Sequence, residues 1–132
     1  MQAWTHLSAE YALEQARSID QRRYQGREIG PLGGVPVGIK DIFDTVDYPT
    51  EYGSPIHKGR QTIDDASTVA QLRQAGAVIM GKTVTTEFAV YAPGKTTNPH
   101  DVSRTPGGSS SGSAAAVASF MVPLALGSQT NG

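Results

Sequence analysis

The sequence predicts an α/β fold in which helices are layered on a mostly parallel or mixed sheet. Segments with a helical pattern alternate along the chain with short apolar segments typical of buried strands. Glycine and proline are concentrated between these segments, where turns are expected. There is no internal repeat, and the only low-complexity patch is GGSSSGSAAAVA. Alternation of helices with apolar strands is typical of layered α/β architectures.

The first predicted helix begins after Ser8 and extends to about Tyr24. Serine is a favourable N-cap because its hydroxyl accepts a hydrogen bond from an otherwise unpaired N–H of the first turn. Gly26 is expected to end the helix. One face of the helix is expected to carry its apolar side chains, namely Tyr11, Leu13, Ala16 and Ile19.

A glycine-rich turn then leads into an extended segment, Val35 to Phe43. Pro36 and Gly38 predict an edge strand or an irregular strand, since proline cannot donate to the ladder and glycine weakens a strand interior. In a strand, Lys40 shares its face with Pro36 and Gly38. Poor hydration on such a face would lower the lysine pKa and make it useful as a base. A solvated edge lysine is the alternative interpretation.

The second predicted helix follows a loop-rich stretch and carries the apolar stripe Val69, Leu72 and Ala75. Asp64 or Asp65 is expected to cap its start, and Gly76 to end it in the left-handed conformation. Residues 77–80 (Ala-Val-Ile-Met) predict a short buried strand, and residues 83–89 predict a further helical turn.

A pattern match to a nucleotide-binding P-loop lies in the same region. Gly76, four further residues and Gly81-Lys82-Thr83 satisfy G-x-x-x-x-G-K-[ST]. A phosphate cradle requires a loop that follows a strand and turns its backbone N–H groups toward the ligand. The four intervening residues here have the composition of the strand itself, so nucleotide binding is not expected.

The third predicted helix includes residues 114–118 and follows the Gly/Ser-rich segment 107–113. Such a segment is typical of a flexible linker. The start of a helix beside several serine hydroxyls also suits the binding of an anion or an oxyanion. The residues alone leave both interpretations open. Residues 122–126 predict another buried strand.

Composition excludes several classes of function. The chain has 132 residues, a formal net charge of −1 and no cysteine, which excludes a disulfide framework, thiolate zinc sites and a cysteine nucleophile. Without a Lys/Arg run, no nucleic-acid or anionic-lipid surface is expected. The N-terminus does not resemble a signal peptide, no apolar run approaches the roughly 20 residues that span a bilayer, and a cytoplasmic protein is expected. The three histidines lack metal-ligand or triad spacing, so no metal site is expected. No cofactor is expected either.

Four segments together resemble the amidase-signature family. GGVPVGIKDIFDT, AGAVIMGKTVTTEF, NPHDVSRTPGGSSSGSAAAVA and VPLALGSQTNG occur in the order and spacing of that family. The likeness covers roughly residues 28–132 and is closest to bacterial amidases and the A subunit of the tRNA-dependent amidotransferase. It implies a mixed-sheet α/β/α fold and hydrolysis of linear amide C–N bonds by a serine–serine–lysine triad.

The resemblance also implies roles for individual residues. Lys40 matches the family's base. Ser109 matches the bridging serine, which follows a cis peptide bond, so Gly108–Ser109 is expected to be cis. Ser128 occupies the place of a small residue that precedes the oxyanion segment. The backbone N–H groups expected to bind the oxyanion belong to Thr130, Asn131 and Gly132.

Two departures from the family pattern bear on function. Gln129 stands where many relatives carry aspartate, so a local change in hydrogen bonding is expected. The acyl-forming serine would be the residue after Gly132. Residues 1–132 are therefore expected to be the N-terminal part of one domain, incomplete at its C-terminus, and to be inactive as they stand.

Three functions are compatible with these residues and motifs. The first is an amide hydrolase acting on a small-molecule amide, with a homodimer as one option. The second is a non-catalytic remnant or binding module. The third is an amidotransferase A subunit that delivers ammonia and works with companion subunits. No direct contact with nucleic acid or membrane is expected in any of them.

Overall fold

The computed structural model describes residues 1–129, which form a four-stranded mixed sheet with helices packed on it. The strands are β1 (Trp4–Leu7), β2 (Pro36–Lys40), β3 (Val78–Thr83) and β4 (Leu124–Leu126). The helices are α1 (Ala9–Tyr24), α2 (Ser67–Gln74) and α3 (Ser111–Ala118), and short 3₁₀ turns span Pro55–His57 and Glu87–Ala89. The sheet order is β1-β3-β2-β4, with β1 antiparallel to β3 and the other pairs parallel. The α/β class with a mixed sheet is confirmed.

Strand β2 lies inside the sheet, between β3 and β4, so the prediction of an edge strand is wrong. Pro36 is tolerated because it is the first residue of the strand. The predicted irregularity is present, since the register with β3 shifts between Val37 and Gly38. A Cβ at Gly38 would lie 3.1 Å from the Trp4 ring. Glycine therefore leaves room for the Trp4 ring, which reaches across β3 to lie against β2.

The main core covers one face of β2 and β3. Val37 and Ile39 of β2 pack with Ile79 of β3 and with Val69 of α2, all fully buried. Because side chains alternate along a strand, Lys40 points to the opposite face. That face is covered by α3, whose Ser113 hydroxyl lies 2.6 Å from the Thr83 hydroxyl of β3.

Helix α1 begins as predicted. The Ser8 hydroxyl accepts a hydrogen bond from the Tyr11 N–H at 3.2 Å, and Gly26 follows the C-cap with φ +69°. The predicted apolar face is only partly correct: Ala12 and Ile19 are buried, whereas Leu13 is 54% exposed. The helical repeat alone does not fix which of two adjacent residues faces the core. Packing against β3 buries Ala12 and leaves Leu13 exposed.

Helix α2 begins differently from the prediction. Its N-cap is Ala66, and no side chain caps it, so neither Asp64 nor Asp65 has that role. Asp65 instead accepts a hydrogen bond from Arg73 Nε at 2.7 Å. Gly76 ends the helix with φ +86°, as predicted.

Strand β3 is longer than the sequence predicts and includes Gly81-Lys82-Thr83. These residues are paired with β2 and β1, which is incompatible with a phosphate-binding loop. Strand β1 is an element that the sequence patterns do not predict. None of the helices within residues 1–129 has both the length and the apolar composition that a membrane span requires.

Candidate active site

Lys40 lies at the C-terminal end of β2, and its side chain has no solvent exposure. Its Nζ lies 2.5 Å from Ser109 Oγ and 2.8 Å from Ser128 Oγ. The peptide bond between Gly108 and Ser109 is cis, as expected. Three chain segments that are distant in sequence therefore meet at one amine, where a lysine and two serine hydroxyls form a connected hydrogen-bond network.

The serine-rich segment before α3 is attached to the sheet and is not a flexible linker. The Ser109 carbonyl accepts a hydrogen bond from the Thr86 N–H at 3.0 Å, and the Gly112 N–H donates to the Val84 carbonyl at 2.9 Å. A Cβ at Gly112 would overlap the backbone of Val84. Glycine at this position thus brings the start of α3 against the chain that leaves β3, and this contact places Ser109 above Lys40.

Ser128 is held by the neighbour of Ser109. The Ser110 hydroxyl accepts a hydrogen bond from the Ser128 N–H at 3.1 Å and donates one to the Ser128 carbonyl at 3.0 Å. A single side chain thereby satisfies both backbone groups of Ser128. The pair connects the segment after β4 with the segment before α3.

The electrostatic environment of Lys40 differs from that of an ordinary lysine. Burial lowers the pKa of Lys40, because desolvation disfavours its charged form. Among residues 1–129, no carboxylate forms an ion pair with Lys40, and its side-chain hydrogen-bond partners are the two neutral hydroxyls. A neutral amine in contact with a serine hydroxyl can act as a general base.

A cavity of about 480 Å³ opens beside Ser109. Its lining includes Ser109, Ser111 and Ser128 together with the aliphatic residue Val90 and the aromatic residue Tyr91. This volume lies within the range of small-molecule sites, roughly 300 to 1,000 Å³. Gln129 also lines the cavity.

The histidines lie away from this cavity in the part of the chain that the structure describes. His6 Nε2 lies 3.1 Å from Glu51 Oε2. His57 makes edge-to-face contacts with the rings of Tyr52 and Phe88. The described residues contain no group of three or more histidines or carboxylates that could hold a metal ion.

The structure brings together the predicted site residues Lys40 and Ser109, and it adds contacts of Ser110 and Ser128 that the sequence did not predict. Ser110 had no signal beyond its place in a serine-rich run, and Ser128 was noted only as a small residue. The residues predicted to bind the oxyanion lie outside the described residues; they are Thr130, Asn131 and Gly132.

Comparison with known proteins places this geometry in context. The model of the Amidase family matches residues 1–132. The A subunit of the glutamyl-tRNA(Gln) amidotransferase from Thermobifida fusca (strain YX) is 52% identical over 136 residues, which cover 98% of this chain and 27% of that protein. Its counterpart from Chloroflexus aurantiacus is 46% identical, and the match covers 100% of this chain and 28% of that protein.

Solved structures agree with the sequence relatives. The native peptide amidase from Stenotrophomonas maltophilia has a TM-score of 0.86 and 39% identity, covering 93% of this chain and 27% of that chain. A vestigial protein complex connected with the origins of an s-triazine catabolic enzyme contains a chain with a TM-score of 0.89 and 42% identity, covering 98% of this chain and 30% of its own. This chain therefore spans less than a third of the length of the relatives it matches.

Proposed function

The chain belongs to the amidase family, and we propose that it supplies the base and the bridging serine for hydrolysis of linear amide bonds. The observation that carries the proposal is the contact of Lys40 Nζ with Ser109 Oγ at 2.5 Å. The lysine side chain in this contact is fully buried. The adjoining cavity has room for a small amide.

In the proposed reaction, neutral Lys40 takes the proton of the Ser109 hydroxyl while Ser109 takes the proton of a nucleophilic serine. That serine is expected at the position after Gly132. Its oxygen attacks the amide carbonyl and forms a tetrahedral oxyanion. Collapse of this intermediate breaks the C–N bond as the relay returns the proton to the leaving amine. Water then attacks the acyl-enzyme, with the same relay acting as base, and releases the acid.

Backbone N–H groups complete the proposed machinery. Thr130, Asn131 and Gly132 precede the expected nucleophile, and each donor to an oxyanion is commonly worth about 3 kcal/mol of transition-state stabilisation. We assign residues 1–132 to the N-terminal part of a single domain in a longer protein. The coverage of 27% of the Thermobifida fusca relative supports this assignment. On this proposal, residues 1–132 have no turnover without the nucleophile.

A second candidate function is that of an amidotransferase A subunit, in which the released ammonia is transferred to another acceptor. The identity of 52% to the glutamyl-tRNA(Gln) amidotransferase relative from Thermobifida fusca favours it. The Lys40–Ser109 chemistry would be the same in both functions. The difference lies in the fate of the ammonia and in the need for companion subunits.

The test uses the polypeptide translated from the complete reading frame, assayed on a panel of simple amides. Lys40→Ala should lower kcat by about 100-fold or more, since a positioned general base contributes roughly 10² to 10⁴ in rate, while KM changes less. Lys58→Ala is the matched control, because Lys58 is exposed. Near-normal turnover by Lys40→Ala would refute the proposed relay. Glutamine-dependent activity that requires companion subunits would favour the amidotransferase.

The 132-residue chain provides an independent check. It should hydrolyse none of the amides and should not react with a fluorophosphonate probe for activated serines. Stoichiometric labelling of Ser109 would show that Ser109 is itself the nucleophile and would overturn the assignment of a bridging role.

A further inference from the structure

We infer that Ser128 is a positioning residue, whose hydroxyl orients the Lys40 amine so that its lone pair points at Ser109. This inference rests on the proposed function. It comes from the two hydroxyls that share one amine, Ser109 at 2.5 Å and Ser128 at 2.8 Å.

A neutral primary amine, such as uncharged Lys40, has two N–H bonds and one lone pair. A base must direct its lone pair toward the proton it accepts, and here that proton is on Ser109. Free rotation about the Cε–Nζ bond would leave the lone pair in several orientations. A hydrogen bond from Nζ to Ser128 Oγ fixes one N–H and so restricts the lone pair to the two remaining positions, one of which points at Ser109.

Ser128 is suited to this role because its own position is fixed. Ser110 binds both its N–H and its carbonyl, at 3.1 and 3.0 Å. Gly127 permits this approach, since a Cβ there would lie 3.0 Å from Ser110 Oγ. Ser110 directly follows Ser109, so the acceptor that orients the base is tied to the segment that carries the bridging serine.

Among the described residues, no charged side chain competes with Ser128 for the Lys40 amine. Helix α3 and strand β4, which pack near Lys40, carry no titratable side chain. The next residue after β2, Asp41, is paired with Lys82 of β3 at 3.1 Å. Within the described residues, the Ser128 hydroxyl is therefore the second polar group at the amine after Ser109.

Loss of the Ser128 hydroxyl should have two separable effects. The amine loses its orienting acceptor, so kcat should fall by about 10- to 100-fold with KM changed less than about 3-fold, as for a misplaced catalytic group. The ammonium form of Lys40 also loses an acceptor that favours it. The acidic limb of the kcat/KM profile should consequently move to lower pH, which a general structural defect would not produce.

The experiment compares Ser128→Ala, Ser128→Thr and Ser18→Ala in the complete polypeptide. Ser128→Thr keeps a hydroxyl and should retain most of the activity. Ser18 is exposed on α1, so its variant should match the wild type. Unchanged kcat and pH profile in Ser128→Ala, together with an inactive Lys40→Ala, would overturn the positioning role and leave the proposed function standing. An active Lys40→Ala would instead refute the proposed function.

A second measurement does not depend on turnover. In the complete polypeptide labelled with ¹³C-lysine, the Lys40 Cε resonance can be followed by NMR through a pH titration. Its midpoint should be lower in Ser128→Ala than in the wild type and in Ser18→Ala. An unchanged or higher midpoint would contradict the inferred hydrogen bond.

Discussion

The Nζ of Lys82 lies 3.1 Å from Oδ1 of Asp41, and both side chains are almost completely buried. Lys82 also donates to Thr50 Oγ1 at 2.7 Å and to the Pro49 carbonyl at 3.1 Å, so its three N–H groups have partners. Asp41 directly follows Lys40, whose side-chain partners are hydroxyls. The fold thus contains two buried lysines with different partners. Lys82 has the contacts of a structural ion pair, and Lys40 those of a base.

Lys82→Met should destabilise the fold by about 3 to 5 kcal/mol, because it leaves the carboxylate of Asp41 buried without its counter-charge. Urea unfolding of the 132-residue chain measures the change. Adding Asp41→Asn to Lys82→Met should recover part of the loss, and the exposed Lys58→Met should be close to neutral. A loss below about 1 kcal/mol in Lys82→Met would show that the pair is not structural.

Gly76→Ala should be far more destabilising than Gly26→Ala. Both glycines follow a helix with positive φ, +86° and +69°, so each substitution incurs the left-handed backbone cost of roughly 1 to 2 kcal/mol. A Cβ at Gly76 would also overlap the carbonyl oxygen of Ile29, whereas one at Gly26 meets nothing within 4 Å. Measuring the free energy of unfolding of both variants separates the backbone cost, which they share, from the cost of the overlap, which only Gly76→Ala has. Equal losses of unfolding free energy in the two variants would contradict this explanation.

The pH profile of the complete enzyme should reflect the lowered pKa of Lys40. Below that pKa the amine is protonated and cannot accept the Ser109 proton, so kcat/KM should rise with pH through it and then reach a plateau. Burial lowers the pKa from the ordinary value of 10.5, and the midpoint should therefore lie below that value. A rise centred at or above pH 10.5 would mean that Lys40 is not the titrating base.

Alkaline unfolding should depend on Tyr48. Burial, assisted by the charge of Asp47, raises the pKa of Tyr48 from 10.0 to about 12. The folded state then holds the phenolic proton more tightly than the unfolded state. This contribution, about 2 to 3 kcal/mol, is present below pH 10 and is lost as the pH rises through 12.

The comparison uses urea unfolding of wild type, Tyr48→Phe and Tyr24→Phe at pH 9 and at pH 11.5. The wild type should lose more stability between these values than Tyr48→Phe does. Tyr24 is 94% exposed, so Tyr24→Phe should behave like the wild type. Tyr48→Phe removes the hydrogen bond to the Met80 carbonyl and should be less stable at pH 9. The same pH dependence in all three proteins would contradict burial of the Tyr48 phenol.

Much of the local structure could be predicted from residue patterns. Ser8 caps α1 and Gly76 ends α2 as expected, because caps and left-handed ends depend on residues close in sequence. The cis bond before Ser109 and the contact of Ser109 with Lys40 agree with the family resemblance. The prediction of an Asp64 or Asp65 cap is wrong, because Arg73 provides Asp65 with a stronger partner than an exposed helix N–H.

The sequence by itself determined the fold class, most element positions and the pairing of Lys40 with Ser109 through its family motifs. Only the tertiary structure decided that β2 is an inner strand, that β1 pairs with β3, and that Ser128 shares the amine of Lys40 with Ser109. The alternation of side chains along a single strand indicates which of them share a face, but it does not indicate which other strands lie beside that strand. Strand order and the contact between residues 40 and 128 arise from packing across the sheet, where the balance of buried surface and hydrogen bonds involves the whole fold.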